Sequence, residues 1–221
     1  MQLAIFVIHQ GTCNVFFTFV KKIAMANCTD CKQCACYQGN ECTHQIETGN
    51  SIEFSINELK NEENLKLMKV SSELEAEFYM KYTRVEELIE FSKRMNYKHI
   101  GVAHCVGLTS EVKILKKILE KNFQVTPICC KFSGLNKADF DLPQIRKERY
   151  EAICNPIGQA EFLNEKKTDL NIIAGLCIGH DILFTKYSKA PVSTLIVKDR
   201  VLGHNPAAAL YSSYYQKKFG I

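Results

Sequence analysis

Cysteines are the residues of this chain whose number and spacing could support chemistry, since 221 residues contain 11 of them. Four follow one another at intervals of 25, 24 and 23 residues: Cys105, Cys130, Cys154 and Cys177. Two of these stand in the similar stretches GVAHCVGL and AGLCIGHD, each between an apolar run and a glycine. Thiolates bind soft metals such as zinc and the iron of iron–sulfur clusters. The spacing therefore predicts a metal site that is assembled from four separate segments.

A second group of cysteines is crowded into the stretch CTDCKQCACYQGNEC, residues 28–42. Tight CxxC spacing in a chain of this length is typical of metal ligation and not of a disulfide scaffold. The stretch is poor in apolar residues, so a metal would be needed to hold it together. We expect one metal to be bound here by Cys28, Cys31, Cys36 and Cys42. Two choices stay open, because Cys34 can replace Cys36 and Cys129 can replace Cys130.

Alternating hydrophobic patterns predict the elements that position these cysteines. Apolar runs of strand length occur at 98–105, 123–130, 170–177 and 192–198. Helical patterns occur at 57–81, 83–95, 109–122, 142–153, 155–167, 180–188 and 204–219. Strand and helix in regular alternation indicate parallel strands joined by right-handed crossovers. The predicted fold class is α/β: an open, mostly parallel sheet of four or more strands, of the Rossmann or flavodoxin type, with N-terminal helices and a cysteine-rich metal knuckle.

The predicted sheet brings the four late cysteines to one edge. Cys105, Cys130 and Cys177 end strands, and Cys154 directly precedes an Asn-Pro helix start. Ligands of such sheets bind at the carboxyl ends of the strands. The N–H groups and the dipole at a helix N-terminus favour a thiolate. We expect these four thiols to bind a [4Fe–4S] cluster, with zinc as the alternative metal.

Three polar residues near the same edge are candidate catalytic residues. His104 and His180 adjoin the cysteine-bearing turns and could supply a proton. Arg200 follows the fourth strand, where it could bind an anionic substrate or pair with the neighbouring Asp199. The sequence contains no dinucleotide fingerprint, P-loop or GxSxG elbow, so we expect no nucleotide cofactor.

Composition and patterning suggest three segments. Residues 1–24 are apolar, lack a positive start and are interrupted by HQGTCN, so we interpret them as an extension outside the fold, with a weak membrane anchor as the rival interpretation. Residues 25–50 are the metal knuckle, and 51–221 form the α/β domain. The net charge of +4 is spread along the chain, which argues against a nucleic-acid partner. We expect a cytoplasmic protein without stable membrane association.

Several of these stretches also resemble a known family. EAICNPIGQAEFLN, IGVAHCVGL and GLCIGHDILFTKYSKAPVSTLIVKDRVLGHNP are similar to the family called domain of unknown function 1847, and the resemblance runs from about Cys28 to the C-terminus. It implies a small, cysteine-rich, metal-binding cytoplasmic protein of a kind found mostly in anaerobic bacteria and archaea. It implies no established reaction. The family's usual opening CxxC matches Cys28 and Cys31 and leaves residues 1–24 outside the resemblance.

Two functions fit these residues. The first is an iron–sulfur enzyme that acts on a small sulfur- or oxygen-containing substrate, with three thiol ligands and one open iron position. The second is a non-catalytic metal protein, namely a zinc or iron–sulfur carrier, a sensor or an electron-transfer module with a closed four-thiolate site. The expected partner is accordingly a small molecule or an electron-transfer protein. A third possibility, an interaction module built on a zinc knuckle, is weakened by the mild charge and by the lack of interleaved aromatic residues.

Overall fold

The computed structural model describes residues 28–30, 35–40 and 49–221. The chain divides into two units, Met1–Lys60 and Asn61–Ile221. In the first unit, short 3₁₀ turns span Cys28–Asp30 and Ala35–Gln38, and helix α1 spans Ser51–Glu58. The predicted extension 1–24 and the cysteines at 31, 34 and 42 lie outside the described residues. Within the described ranges, no helix is both long and apolar enough to cross a membrane.

The second unit contains a sheet and seven of the described helices. Its strands are β1 (His99–His104), β2 (Gln124–Cys129), β3 (Leu170–Ala174) and β4 (Val192–Ile196). Its helices are α2 (Glu62–Phe78), α3 (Arg84–Arg94), α4 (Thr109–Leu119), α5 (Pro156–Glu165), α6 (His180–Tyr187), α7 (Ala208–Tyr211) and α8 (Ser213–Lys218).

The described strands form one parallel sheet in the order β2-β1-β3-β4. This confirms the predicted α/β fold class, and the order is the one that begins the flavodoxin-type sheet. From β1 the chain moves outward to β2, and it then returns to the other side of β1 for β3. The strand order thus reverses between β1 and β3. In sheets of this kind, the crevice beyond the carboxyl ends of these two strands is the usual ligand site.

Apolar residues alternate between two buried faces of the sheet. On one face, Ile100, Val102 and Ile172 pack with Val112 and Leu115 of α4. The opposite face buries a second cluster, which joins strand residues to α5 and α6: Ala103, Cys105, Cys130, Ala160, Leu163, Ile173, Leu176 and Phe184. Helices on both faces explain why these strands have continuous apolar sequences. Two of the predicted ligands, Cys105 and Cys130, therefore belong to this second buried cluster.

Two helix starts have side-chain caps. Thr83 and Glu86 form a capping box at the start of α3. Asn155 caps α5 at the predicted Asn-Pro start, with its side-chain oxygen accepting a hydrogen bond from Gly158 N at 2.8 Å, and Pro156 is the first helical residue. Helix α4 begins at Thr109 without a side-chain cap.

Three predicted helices differ from the structure. Residues 142–153 are not helical. Ile145 is 87% exposed, so no neighbouring element covers the apolar side of the predicted helix. Glu151 instead stabilises a loop by accepting hydrogen bonds from Ile145 N and Lys137 Nζ. The pattern at 57–81 is divided, since the Asn61 side chain caps a new helix. The pattern at 204–219 is divided by the extended backbone of Ser212.

Candidate thiolate site at the carboxyl edge of the sheet

Cys105 and Cys130 sit one residue beyond their strands and continue the hydrogen-bonded ladder. The Cys105 N–H donates to Ala174 O at 3.2 Å, and the Cys130 N–H donates to His104 O at 2.8 Å. Both cysteines are buried, with exposed fractions of 7% and 2%. The sheet thus fixes their backbones at the carboxyl edge, as the strand pattern predicted.

Cys154 reaches this edge through the cap of α5. The N–H of Asn155 donates to Cys130 O at 2.9 Å, so the residue before the helix lies against the end of β2. The side chains also interact: Cys154 packs against the cluster that contains Cys130, and a hydrogen bond between the two sulfurs raises the pKa of Cys130 and lowers that of Cys154. Two cysteines from different segments of the chain therefore form a thiol–thiolate pair.

The surroundings of this pair decide which sulfur keeps the proton. The Cys130 hydrogen bond, aided by the Lys131 ammonium and by His180, lowers the pKa of Cys154 from 9.0 to about 5. The interaction with Cys154 and burial raise the pKa of Cys130 well above its usual range. The pair titrates as one unit. At neutral pH it holds one proton on Cys130, and Cys154 is the thiolate.

The third thiol adjoins the pair through the turn after β1. The N–H of Val106, next to Cys105, donates to the Cys130 sulfur at 3.4 Å. The charge of Cys105 also contributes to the raised pKa of Cys130. A methyl group added to Gly107 would lie 4.0 Å from the Cys105 sulfur and 3.4 Å from Lys198 Nζ. A thiol and an ammonium group therefore flank Gly107, which leaves the space between them open.

Cys177 lies at the rim, in contact with Arg200. Its carbonyl accepts hydrogen bonds from His180 N at 2.8 Å and Asp181 N at 3.1 Å, which closes the turn into α6. Its sulfur accepts a hydrogen bond from Arg200 Nη2 at 2.9 Å. This contact, together with the charges of Cys105 and Cys154, raises the pKa of Arg200. Three of the four predicted ligands, Cys105, Cys154 and Cys177, thus act on Arg200.

The carboxylate of Asp199 forms hydrogen bonds within the loop after β4. It accepts hydrogen bonds from Val201 N at 2.9 Å and Leu202 N at 2.8 Å. His204 closes the same loop, because its Nδ1 accepts from Asp199 N at 3.1 Å. The predicted pair of Arg200 with Asp199 is therefore not formed, and Arg200 contacts Cys177 instead.

The two candidate histidines have different surroundings. His104 is 6% exposed, and its Nδ1 lies 3.0 Å from Cys105 O, a contact that orients the cysteine-bearing turn. His180 is half-exposed at the first position of α6, and its charge lowers the pKa of Cys154. Of the two, His180 has the better access to a molecule bound beside the thiols.

The remaining predicted ligands lie elsewhere or outside the described residues. Cys28 and Cys36 belong to the first unit and are exposed, and Cys31 and Cys42 are not among the described residues. Over residues 28–30, 35–40 and 49–221, no three side chains of His, Cys, Asp or Glu stand ready to hold a metal ion. Thiols are soft donors that suit such metals, but the cysteines of the edge do not form a ready metal site as they stand.

Two lysines of the edge were missed by the sequence reasoning. Lys131 Nζ donates a hydrogen bond to Ala152 O, and its ammonium group helps to lower the pKa of Cys154. The Lys198 side chain passes Gly175 and ends beside Gly107. Their positions in the sequence could have indicated a place at the edge, because Lys131 directly follows a candidate ligand and Lys198 is two residues from Arg200. Scattered lysines elsewhere on the surface made that signal indistinct.

A cavity of about 640 Å³ lies in another part of the second unit, where α2 and α3 meet β3 and β4. Aromatic side chains such as Phe78, Tyr82 and Phe91 line it, together with Leu170 and Val192. Its lining includes no cysteine or histidine. The candidate cysteines and histidines discussed above therefore do not line this cavity.

Comparison with known proteins links the chain to a family. Residues 42–195 match the family model described as "Protein of unknown function (DUF1847)". The chain is also similar to the uncharacterized protein MJ0455 of Methanocaldococcus jannaschii, with 57% identity over 191 residues, which is 86% of this chain and 96% of that protein. The residues matched by the family model contain all four thiols of the edge.

Proposed function

Because the chain belongs to the DUF1847 family of proteins of unknown function, we propose a function from its own side chains: it is a metal-binding protein whose metal is held by thiolates at the carboxyl edge of the sheet. The proposed ligands are Cys105, Cys130 and Cys154. Cys177 stands beside them as a fourth sulfur that Arg200 engages.

The contact between Cys130 and Cys154 is the observation that carries the proposal. The pair lies in or against a buried apolar cluster that also contains Cys105. A thiolate in such surroundings is costly unless a cation or hydrogen bonds compensate it. A soft metal ion would compensate several thiolates at once, and it would release the proton that Cys130 retains.

The ligand types favour an iron–sulfur cluster, with zinc as the alternative. All of the proposed ligands are sulfur atoms, which bind both zinc and the iron of a cluster. The Val106 N–H that points at the Cys130 sulfur is the kind of donor that tunes cluster potentials. Because Arg200 already engages the sulfur of Cys177, we favour a [4Fe–4S] cluster with the other three cysteines as protein ligands.

A three-ligand site supports the enzyme interpretation, in which the substrate is a small sulfur- or oxygen-containing molecule. When bound, such a cluster supplies a Lewis acid at its open position. The chain's own residues would supply the other two functions: His180 exchanges a proton with the substrate at the edge, and Arg200 attracts a negative group of the substrate. His104 orients the Cys105 turn through the backbone contact of its ring.

A non-catalytic metal protein is the second candidate, and one observation favours it. Cys177 is close enough to the other thiols for its partner Arg200 to respond to the charges of Cys105 and Cys154. If Cys177 leaves Arg200 and binds the metal, the site has four thiolates and is closed, which suits a carrier, a sensor or an electron-transfer module. Ligation by Cys177 therefore separates the two candidates.

The proposal is tested by anaerobic purification of the full chain, followed by a visible spectrum and by iron, sulfide and zinc analysis. A chain with Cys28→Ser and Cys36→Ser serves as the matched control, because it removes two predicted ligands of the knuckle and none of the edge. We expect this control chain to keep one metal centre. A control chain that binds neither iron nor zinc after reconstitution would contradict the proposal.

A further inference from the structure

Two cations of the loop after β4, Lys198 and Arg200, lie beside the turns that follow β1 and β3. The chain beyond β4 is redirected by an irregularity in its pairing with β3, where Ala174 pairs with Ile196 although Ile173 pairs with Thr194. Lys198 then passes over Gly175, where an added methyl group would lie 3.7 Å from its Cδ, and its ammonium ends beside Gly107. Arg200 lies against Cys177. The two cations thus stand next to the turns that follow β1 and β3.

These cations have no carboxylate partner among the described residues. The ion pairs formed there involve other side chains: Arg84, Arg94, Lys116 and Lys137 with glutamates. Asp199, which separates Lys198 from Arg200, uses its carboxylate on two backbone N–H groups of its own loop. The sulfurs of Cys105 and Cys177 are the groups that lie beside the two cations. Neither cation is therefore paired with a carboxylate, and both are available to an anionic ligand.

Exposed apolar side chains stand beside the same turns. Ile178, next to Cys177, is 91% exposed, and Val201, next to Arg200, is 76% exposed. Val106, next to Cys105, is 51% exposed. Exposed apolar side chains that are sequence neighbours of Cys105, Cys177 and Arg200 suit a ligand with one anionic group and an apolar body.

The backbone around the crevice argues for a carboxylate and against a phosphate. Phosphate sites use free N–H groups at a helix N-terminus. The first N–H groups of α6 are already bonded, those of His180 and Asp181 to Cys177 O and that of Ile182 to the Asp181 carboxylate. An arginine fork and one ammonium suffice for the two oxygens of a carboxylate.

We infer that Lys198 and Arg200 bind the carboxylate of a small substrate whose apolar part lies against Ile178 and Val201. This inference rests on the proposed function, since it names the substrate class of the same edge. It also implies an exchange: Arg200 leaves the Cys177 sulfur when it binds the carboxylate. In the metal-free protein, Cys177 and the carboxylate therefore compete for Arg200.

The test uses hexanoate as the probe and hexanamide as its uncharged counterpart, with dissociation constants measured by ligand-detected NMR on the metal-free and the metal-loaded full chain. We expect hexanoate to bind and hexanamide to bind at least tenfold more weakly, and Arg200→Gln or Lys198→Gln to weaken hexanoate binding by about tenfold or more. Arg200→Lys keeps the positive charge, so it should bind hexanoate more tightly than Arg200→Gln does and less tightly than the wild type does. Lys189→Gln is the matched control, because Lys189 precedes β4 at the opposite end of the strand.

Cys177→Ser separates this inference from the proposed metal site. It frees Arg200, so hexanoate should bind the metal-free variant more tightly than the metal-free wild type. Hexanoate affinity that is the same in wild type, Arg200→Gln and Lys198→Gln would overturn the inference, as would tighter binding of inorganic phosphate than of hexanoate. Metal content is measured separately, so a chain without metal that binds hexanoate through Arg200 contradicts the proposed function and leaves the carboxylate site standing.

Discussion

The thiol of Cys130 donates a hydrogen bond to the thiolate of Cys154, so two cysteines that are 24 residues apart in sequence share one proton. The sheet holds the first at the end of β2, and the cap of α5 holds the second. Lys131 stabilises the charge on Cys154, while burial keeps Cys130 neutral. The electrostatics of this pair can therefore be tested in metal-free protein, where the reactivity of each thiol is measured before any metal is added.

The first prediction concerns the reactivity of Cys154 as a function of pH. Its pKa is lowered to about 5, and the thiolate is the reactive form. In metal-free protein, its rate of alkylation by iodoacetamide should therefore stay nearly constant from pH 8 down to about pH 6 and fall as the pH drops through about 5. Lys131→Gln should move this midpoint to higher pH. The measurement is mass spectrometry of the peptide that contains Cys154.

The matched control for this prediction is Lys117→Gln. Lys117 is an exposed residue of α4, so its substitution removes the same charge at a position away from the thiols. A Cys154 midpoint near that of an ordinary thiol, or one that Lys117→Gln moves as far as Lys131→Gln does, would count against the described electrostatics.

The second prediction concerns oxidation of the same pair. The hydrogen bond from Asn155 N to Cys130 O at 2.9 Å brings the backbones of residues 130 and 154 close together, as a disulfide requires. With glutathione disulfide as the oxidant, Cys154 attacks it and releases one glutathione, and Cys130 then displaces the second. Peptide mapping should find a Cys130–Cys154 disulfide in metal-free protein and much less of it in metal-loaded protein. A different dominant pairing within the second unit would contradict the geometry.

The third prediction concerns Gly175, which joins β3 to the Cys177 turn. Its φ is +71°, and an added methyl group would lie 1.9 Å from Cδ1 of the buried Leu108. Gly175→Ala should lower the free energy of unfolding by about 3 kcal/mol, since the clash adds to the backbone strain. Gly203→Ala is the control, because φ there is +58° and the added methyl group meets nothing within 4 Å.

Urea unfolding of both variants measures this difference. Gly203→Ala should cost only about 1 kcal/mol, which is the strain of a left-handed backbone without a clash. Equal losses in the two variants would mean that the close contact with Leu108 is not maintained in solution.

The fourth prediction concerns the cysteines of residues 28–42. We expect a chain that begins at Ser51 to contain one metal fewer than the full chain, because it lacks Cys28, Cys31, Cys36 and Cys42. Its far-ultraviolet circular dichroism should still show the helices and strands of the second unit. Full metal content in the shortened chain would exclude a metal site in the knuckle.

Much of the fold could be predicted because its central strands, β1 and β3, are buried. Runs such as GVAHC and NIIAGLC are largely apolar, and their alternation with capped helices indicates a parallel sheet. The cap at Asn155 was equally clear, since Asn-Pro is a local signal that needs no tertiary contact. These features also placed Cys105, Cys130 and Cys154 at one edge.

The parts that sequence reasoning missed depend on distant contacts. Residues 142–153 show a helical pattern, yet no neighbouring element covers Ile145, and Lys137 and Glu151 hold the segment as a loop. Likewise, the path of Lys198 across Gly175 to Gly107 follows from the irregular β3–β4 pairing. Neither depends on a local pattern, so neither could be derived from residue types and spacing.

The most direct measurement of the central claim is the anaerobic iron, sulfide and zinc content of five single variants: Cys105→Ser, Cys130→Ser, Cys154→Ser, Cys177→Ser and, as the matched control, Cys129→Ser. Cys129 neighbours a proposed ligand but forms no part of the proposed set. A metal centre with three thiolate ligands predicts that the first three variants lose one centre, while Cys177→Ser and Cys129→Ser keep it. Wild-type metal content and spectrum in Cys105→Ser, Cys130→Ser and Cys154→Ser alike would contradict metal binding at this edge.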